Sequence, residues 1–513
     1  MDNLAPDPKP VVGLEALTPL SADSARRNGT HPHTSRPVTV AAVIPCFNRR
    51  DDLTLLLRDV ARLDLRGIDL WCVVVDNAST EPLSTIRVPP GLRVEFVRSP
   101  RNTGGSGGFN LGMSHVLSGA GESGRYGQPD YVWWLDSDAR VGRSCLRELV
   151  RVLKRRPRVG AVGSGLRDID TGHTWEVGGR ISRVHGGVMP AAGGDLDKRL
   201  LCRCDYLAAC SALVRRSAIE RTGLFPDNFI YYDDVDWCIQ MTRATGYTVL
   251  GAPKSRAFHP PGNRRYVTWA RYYIARNAFS HMDVMGMGGY RRFRRAWREV
   301  PRAIGQAMMG APELAALHLR GLRDARDRRF PALEPRELPT GITMIPFAKL
   351  RETIDAELGA WRANGRPGTL YVHPALRYPI PGLDGFRQEL KKVQFAWPRR
   401  RWRASHEGAG LRDLLLGVWR TLVGPSADVA ITTTGWPTNW SRGRTVIKVT
   451  TDGLIVKRLE RPRVVRDALR TFARGLTLSV QLGLRGPHIM PLPPAPRYVP
   501  APTHEAEPAH AVS

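Results

Sequence analysis

Between Val38 and about residue 285 the chain alternates short apolar runs with amphipathic stretches, and the apolar runs end on polar residues. "VTVAAVIPCF", "DLWCVVVDNAST", "LRVEFVRS" and "YVWWLDSDA" are short, β-branched or aromatic, and read as buried strands. "DDLTLLLRDVARL" has helical spacing with acids in its first turn, and "NLGMSHVLSGA" reads as a helix beginning after Phe109. Strands alternating with helices predict an α/β fold, a mostly parallel sheet flanked by helices. Ligands of such sheets bind outside the carboxyl ends of the strands. Those ends carry Pro45, Phe47 and Asn48, then Asp76 with Asn77, then a glycine-rich loop with Asn102, Gly104 and Gly105, then Asp136 with Asp138. The polar residues therefore gather on one rim.

Downstream, "CDYLAACSALVRRSAIERTGLF" reads as strand then helix, and "NFIYYDDVDWCIQMTRATGY" as an acidic turn then helix. "YTVLGAPKSRAFHP" is a strand running into His259. The texture divides the chain into a tail at 1–37, the α/β domain at 38–285, a basic, mainly helical region at 286–490, and a second tail at 491–513. Both tails are poor in apolar periodicity and are expected to be disordered. Within the third region "TVIKVTTDGLIVKR" predicts a hairpin near 445–458, turning at Asp452-Gly453.

Lys and Arg number 76 against 48 Asp and Glu, a formal charge of +28. Such a field favours polyanions, although a GC-rich genome produces the same arginine excess with no partner. "GYRRFRRAWREV" interleaves arginine with aromatics and reads as a basic amphipathic helix lying on an anionic membrane, contacting nucleic acid, or packing its aromatics inward, the membrane leading. No run approaches the roughly 18 apolar residues of a membrane span, and the N-terminus lacks a signal-like apolar core. Seven cysteines, several inside apolar runs, fit reduced buried thiols. Cys202, Cys204 and Cys210 lack paired metal-site spacing. These features predict a cytoplasmic protein, peripheral at the inner face of the cell membrane if it meets one.

The chemistry-bearing residues are acids and one histidine. In extended backbone Asp136 and Asp138 share a face, and two carboxylates there suit a hard divalent ion that also holds a diphosphate. A turn or helix cap uses the same residues. In "YYDDVDW" the acids Asp233, Asp234 and Asp236 repel one another unless a cation or a proton-transfer task requires them, and a carboxylate there can take a proton from an attacking hydroxyl. Helix N-termini also welcome acids.

In order, "VIPCFNR", "VVVDNAST", "RNTGGSGGFNLGM", "WWLDSDA", "CSALVRRSAIERTGLF", "YYDDVDWCIQ", "AFHPPGN" and "RYYIARN" resemble the inverting glycosyltransferases of family 2, which have the GT-A nucleotide-diphospho-sugar transferase fold. The glycine segment and the DDxD acids are most similar to the galactofuranosyl- and rhamnosyltransferase branch of cell-wall glycan synthesis. The resemblance implies that Pro45, Phe47, Asn48 and Asp76 meet the nucleotide, and that Asn102, Gly104 and Gly105 pass near the diphosphate and sugar. It implies that Asp136, Asp138 and His259 hold Mg2+ or Mn2+, Asp136 also serving the donor. Asp234 would be the general base and Asp233 its neighbour on the acceptor, with Trp175, Glu176 and Asp236 as looser acceptor contacts. Ser137 stands where an acid is common, and Asp233 where many relatives have Glu. The implied activity is transfer of a sugar from a UDP- or dTDP-sugar to a lipid-linked glycan, glycolipid or natural product. Two rivals remain. A sugar nucleotidyltransferase would want glycines directly after the first strand, which "VIPCFNRR" lacks. A nucleic-acid-binding protein leaves the acids unexplained, so no nucleic-acid partner is expected.

Overall fold

The computed structural model describes residues 36–330 except 120–122, 170, 192–195, 260–269 and 309–311, then short segments between 332 and 458, and residues 461–486. The expected tails lie almost wholly outside the described residues.

The first half is a ten-stranded mixed sheet. β1 (Val38–Cys46), β2 (Ile68–Asp76), β3 (Val94–Arg98) and β4 (Tyr131–Leu135) form its parallel part, in the order β4-β1-β2-β3. Cys46 stands level with Asp76 in that register, so the two carboxyl ends finish together. Between β1 and β2 runs α1 (Arg50–Val60), which buries Leu53, Leu56, Leu57 and Val60 at helical spacing. The remaining elements before the middle of the sheet are α2 (Gly104–Ser118), the short α3 (Ser123–Tyr126), β5 (Arg140–Val141) and α4 (Cys145–Arg155). β6 (Val159–Arg167) carries β7 (Thr174–Glu176) on one side of its end, and β8 (Gly179–Ile181) pairs with β9 (Val188–Pro190) outside the sheet. β10 (Cys202–Cys204) is an edge, and β11 (Ser211–Arg215) runs antiparallel between β4 and β6. α5 (Arg216–Thr222), α6 (Asp233–Thr245) and β12 (Thr248–Phe258) complete the domain, β12 lying parallel to β6.

The glycine-rich segment departs from expectation. The helix does not begin after Phe109: α2 starts at Gly104, with the glycines inside it. A Cβ on Gly104 would stand 2.0 Å from the carbonyl oxygen of Phe229, one on Gly108 2.7 Å from Cβ of Pro45, and one on Gly112 2.3 Å from Cγ1 of Val43. Positions i, i+4 and i+8 share a helix face. These glycines exist so that α2 can lie directly on β1 and on the segment before α6.

α7 (Ala270–Val284) leads into α8 (Tyr290–Trp297), α9 (Glu299–Met308) and α10 (Pro312–Asp327), and α11 (Arg461–Leu484) returns to pack on α8, α9 and α10. Their shared core holds Phe279, Met282, Ala303, Leu322, Leu478 and Leu482. The arginine-aromatic stretch does not form one surface helix. It divides between α8 and α9, and Arg292 is buried on Asp283 at 2.6 Å. Arg295 and Arg302 bracket the buried Glu299 at 2.6 and 2.5 Å, with His318 Nδ1 at 2.9 Å. Burial alone would raise the Glu299 pKa, but the two guanidiniums hold it well below the usual carboxylate range. The region also contains more strand than the one expected hairpin. β16 (Gly443–Val449) and β17 (Leu454–Arg458) form that hairpin, inside a five-stranded sheet with β13 (Met344–Ile345), β14 (Leu370–Val372) and β15 (Ala427–Thr432). No described helix is long and apolar enough to cross a membrane.

Candidate active site

β4 delivers Asp136 to the rim, and the antiparallel β11 beside it begins at the same level. The backbone N–H of Asp136 donates to the carbonyl of Cys210 at 3.1 Å. One ligand atom from each of Asp136, Cys210 and His259 lies within 4.8 Å of the others. Asp138 joins them: His259 Nε2 is 3.3 Å from Oδ1 of Asp138, and the Arg49 guanidinium is 3.7 Å from its Oδ2. β12 carries His259 here, where its N–H donates to the Arg167 carbonyl at 2.8 Å. The Trp175 indole N–H donates to the His259 carbonyl at 3.2 Å and so steadies the end of that strand.

The second group of acids arrives on α6. Asp233 and Asp234 are its first two residues. Asp234 accepts the N–H of Ala209 at 3.0 Å and that of Val235 at 2.7 Å. Burial raises its pKa to about 6 against those stabilising hydrogen bonds. Asp233 is pushed well above the usual carboxylate range, by burial first, then by the charge of Asp234 and, further off, of Asp136. Glu176, on β7, is raised to about 8 by burial and by Asp234, with His259 pulling the other way. The charges of Asp136, Asp233, Asp234, Glu176 and His259 are thus close enough to be felt by one another.

The segment leading into α6 is strained. Phe229, Tyr231 and Tyr232 have φ of 66°, 70° and 68°, a region that side-chain-bearing residues rarely adopt. α7 holds it there. Asn277 Nδ2 donates to the carbonyls of Asn228 at 3.0 Å and Ile230 at 2.6 Å, and Arg276 donates to Asn228 at 2.9 Å. Arg276 is fully buried, its guanidinium lying 5.1 and 5.0 Å from the ring centres of Tyr272 and Tyr273. "RYYIARN" is thus the buttress of the acidic segment, a role its sequence alone did not declare.

Asp236 corrects an expectation. It is fully buried, its Oδ1 is 2.5 Å from His281 Nδ1, and His281 Nε2 is 2.9 Å from the Gly186 carbonyl. It pins α6 to α7 inside the protein and does not face an acceptor. Cys210 was missed, because no motif marks it. Burial holds its thiol well above the ordinary value, with Asp136, Asp138 and Glu176 pushing the same way. The carboxylate oxygens and the imidazole of this group suit a hard divalent ion such as Mg2+ or Mn2+.

The rim beyond β1 and β2 is built from turns. Asp76 is buried, accepts the N–H of Ser79 at 2.8 Å and of Leu83 at 3.2 Å, and pairs with Arg98. It shapes the turn after β2. Asn48, at φ 54°, caps the neighbouring turn by accepting the N–H of Thr80 at 2.8 Å, and Phe47 is exposed beside it. Asn77 donates to Asn102 at 3.1 Å and to the Gly104 carbonyl at 2.8 Å, locking the start of α2. Pro45 packs under Gly108, whereas Gly105 has only the Phe229 carbonyl, 4.0 Å from where its Cβ would be.

The family model described as "Glycosyl transferase family 2" matches residues 41–223. Over that stretch, little more than a third of its length, the chain is similar to this family. The chain is 26% identical over 208 residues to an N-acetylglucosaminyl-diphospho-decaprenol L-rhamnosyltransferase of Mycobacterium tuberculosis, a match covering 36% of this chain and 65% of that relative. It is 33% identical over 102 residues to a galactofuranosyltransferase of Mycolicibacterium smegmatis, covering 20% of this chain and 30% of the relative. Among solved structures, a mannosyltransferase of Pyrobaculum calidifontis in complex with GDP-Man and Mn2+ aligns at TM-score 0.36 and 18% identity, over 63% of this chain and 81% of that one.

Proposed function

We propose that this protein transfers a sugar, with inversion, from a UDP- or dTDP-sugar to a hydroxyl of a lipid-linked cell-wall glycan at the cytoplasmic face of a membrane. The observation that carries the reading is the shared seat of the two groups of acids: Ala209 holds Asp234, and the next residue, Cys210, holds the backbone of Asp136. The lipid-linked acceptor is supported by the name of one relative, the N-acetylglucosaminyl-diphospho-decaprenol L-rhamnosyltransferase.

Asp136, Asp138 and His259 would hold the divalent ion, which when bound neutralises the departing diphosphate. Asp234 takes the proton from the attacking acceptor hydroxyl. Its raised pKa of about 6 leaves it ionised at neutral pH yet basic enough for the task. Asp233, whose carboxyl burial and the Asp234 charge push well above the usual range, sits beside it as a neighbour on the acceptor. Glu176, raised to about 8, is also neutral at pH 7 and closes the cleft without adding a competing charge. The strained backbone at Phe229–Tyr232 fixes where both aspartates sit.

The test is a screen of the purified full chain against UDP- and dTDP-sugars, read as nucleotide release with and without Mn2+ and as the anomeric configuration of the product. Retention of configuration would refute the single-displacement mechanism. Release of inorganic diphosphate from a nucleoside triphosphate and a sugar phosphate would favour the nucleotidyltransferase instead.

A further inference from the structure

Among the described residues, α11 packs on the rest of the protein along one face. Val464, Ala468, Leu478 and Leu482 are buried, Gly475 packs against Val300, and Gly483 against Phe293. A second face carries Leu469, Phe472, Leu476, Val480 and Leu484, exposed by 64, 39, 38, 44 and 83%. At 100° per residue these five fall on one stripe, about 22 Å long at the helical rise. The third face carries Arg466, Arg470 and Arg474, all exposed. The whole helix has five arginines and a single acid, Asp467. The stripe continues onto α8, since Phe472 meets Trp297 at 6.1 Å, Trp297 meets Phe293 at 6.1 Å, and Phe293 meets Tyr290 at 6.3 Å.

We infer that this outer face of α11, with the aromatic edge of α8, docks on an anionic lipid bilayer. An apolar stripe flanked by arginines is the pattern of a helix lying in the bilayer interface, its apolar side sunk among the acyl chains and its cations among the headgroups. Few monomers leave so continuous an apolar strip in water. Self-association is the weaker use of the face, because pairing two copies along it brings two arginine rows together. On α8 Arg292 and Arg295 are spent on Asp283 and Glu299 while Arg291 and Arg294 are exposed, and α11 adds Arg470 and Arg474 beside the apolar stripe. The inference rests on the proposed function only in that a lipid-linked acceptor needs a bilayer nearby.

The experiment uses acceptor-free vesicles, so that docking and catalysis fail separately. The full chain is floated with phosphatidylcholine vesicles, with and without phosphatidylglycerol, at low and high salt. It should bind the anionic vesicles about tenfold better than the neutral ones and lose that advantage in salt. Leu476→Asp with Val480→Asp should abolish flotation while donor turnover on a water-soluble acceptor is unchanged. Arg470→Glu with Arg474→Glu, at positions that tolerate charge, should remove the anionic preference with the apolar stripe intact. Flotation unaffected by both variants, or no binding of the unaltered chain to anionic vesicles, overturns the inference. So does a dimer that the Asp variant dissolves while vesicle binding persists.

Discussion

Asp234 accepts the backbone N–H of Ala209 through Oδ2 at 3.0 Å. Because Cys210 follows and holds the amide of Asp136 at 3.1 Å, one short stretch of backbone sets the spacing between the proposed base and the proposed donor site. Asp234→Asn keeps an acceptor oxygen for Ala209 but removes the base. Transfer should fall about 10²–10⁴-fold, while nucleotide binding by calorimetry changes less than about threefold.

The pH profile follows from burial. Asp234 is raised to about 6, and it accepts a proton only when ionised. The logarithm of kcat/KM should therefore climb with pH, level off above about 6, and lose that limb in Asp234→Asn. A limb near the ordinary aspartate value of 3.8 would show that the site is wetter than its burial implies.

Glu176 gives a stability readout of the same physics. Its pKa rises from 4.5 to about 8 on folding, so between those values the folded protein binds a proton that the unfolded chain has lost. Stability declines as pH rises through that window. Glu176→Gln removes the penalty, and its melting temperature should exceed that of the unaltered protein by about 2–4 °C above pH 8, the two converging near pH 4.5.

Asp138→Ala removes the carboxylate that sits 3.3 Å from His259. In thermal-shift measurements the unaltered protein should be stabilised by UDP or dTDP with Mn2+ and hardly by either alone. The Ala variant should lose that synergy.

Two glycines of one helix separate packing from ligand contact. Gly112→Val places its branch against Val43 and Val75, at 2.3 and 3.0 Å from the first added carbon. It should cost at least about 2 kcal/mol in denaturant unfolding. Gly105→Ala, with nothing nearer than 4.0 Å, should be neutral or gain up to about 1 kcal/mol from helix propensity. A loss of donor affinity there would restore the sugar-diphosphate contact that the sequence led one to expect.

The strands were legible because β1, β2 and β4 are buried on both faces and must be continuously apolar. The acids were legible because each stands where such a run stops. The glycine segment misled for a physical reason: glycine beside Asn, Thr and Ser looks like loop chemistry, although the spacing of Gly104, Gly108 and Gly112 was already that of a helix face. Asp236 misled because three acids in a row look alike until the helix turns one of them inward onto His281. Cys210 reaches the site only through the antiparallel insertion of β11 beside β4, a pairing that no local pattern encodes.

α7 serves two masters. Arg276 and Asn277 grip the backbone ahead of Asp233, while Phe279 and Met282 lie among side chains of α9, α10 and α11. Trimming the protein at residue 285, where the sequence texture changes, would leave that helix with a bare apolar back. The smallest autonomous catalyst therefore has to include the basic helices, which cover the back of the helix that grips the backbone ahead of the aspartates.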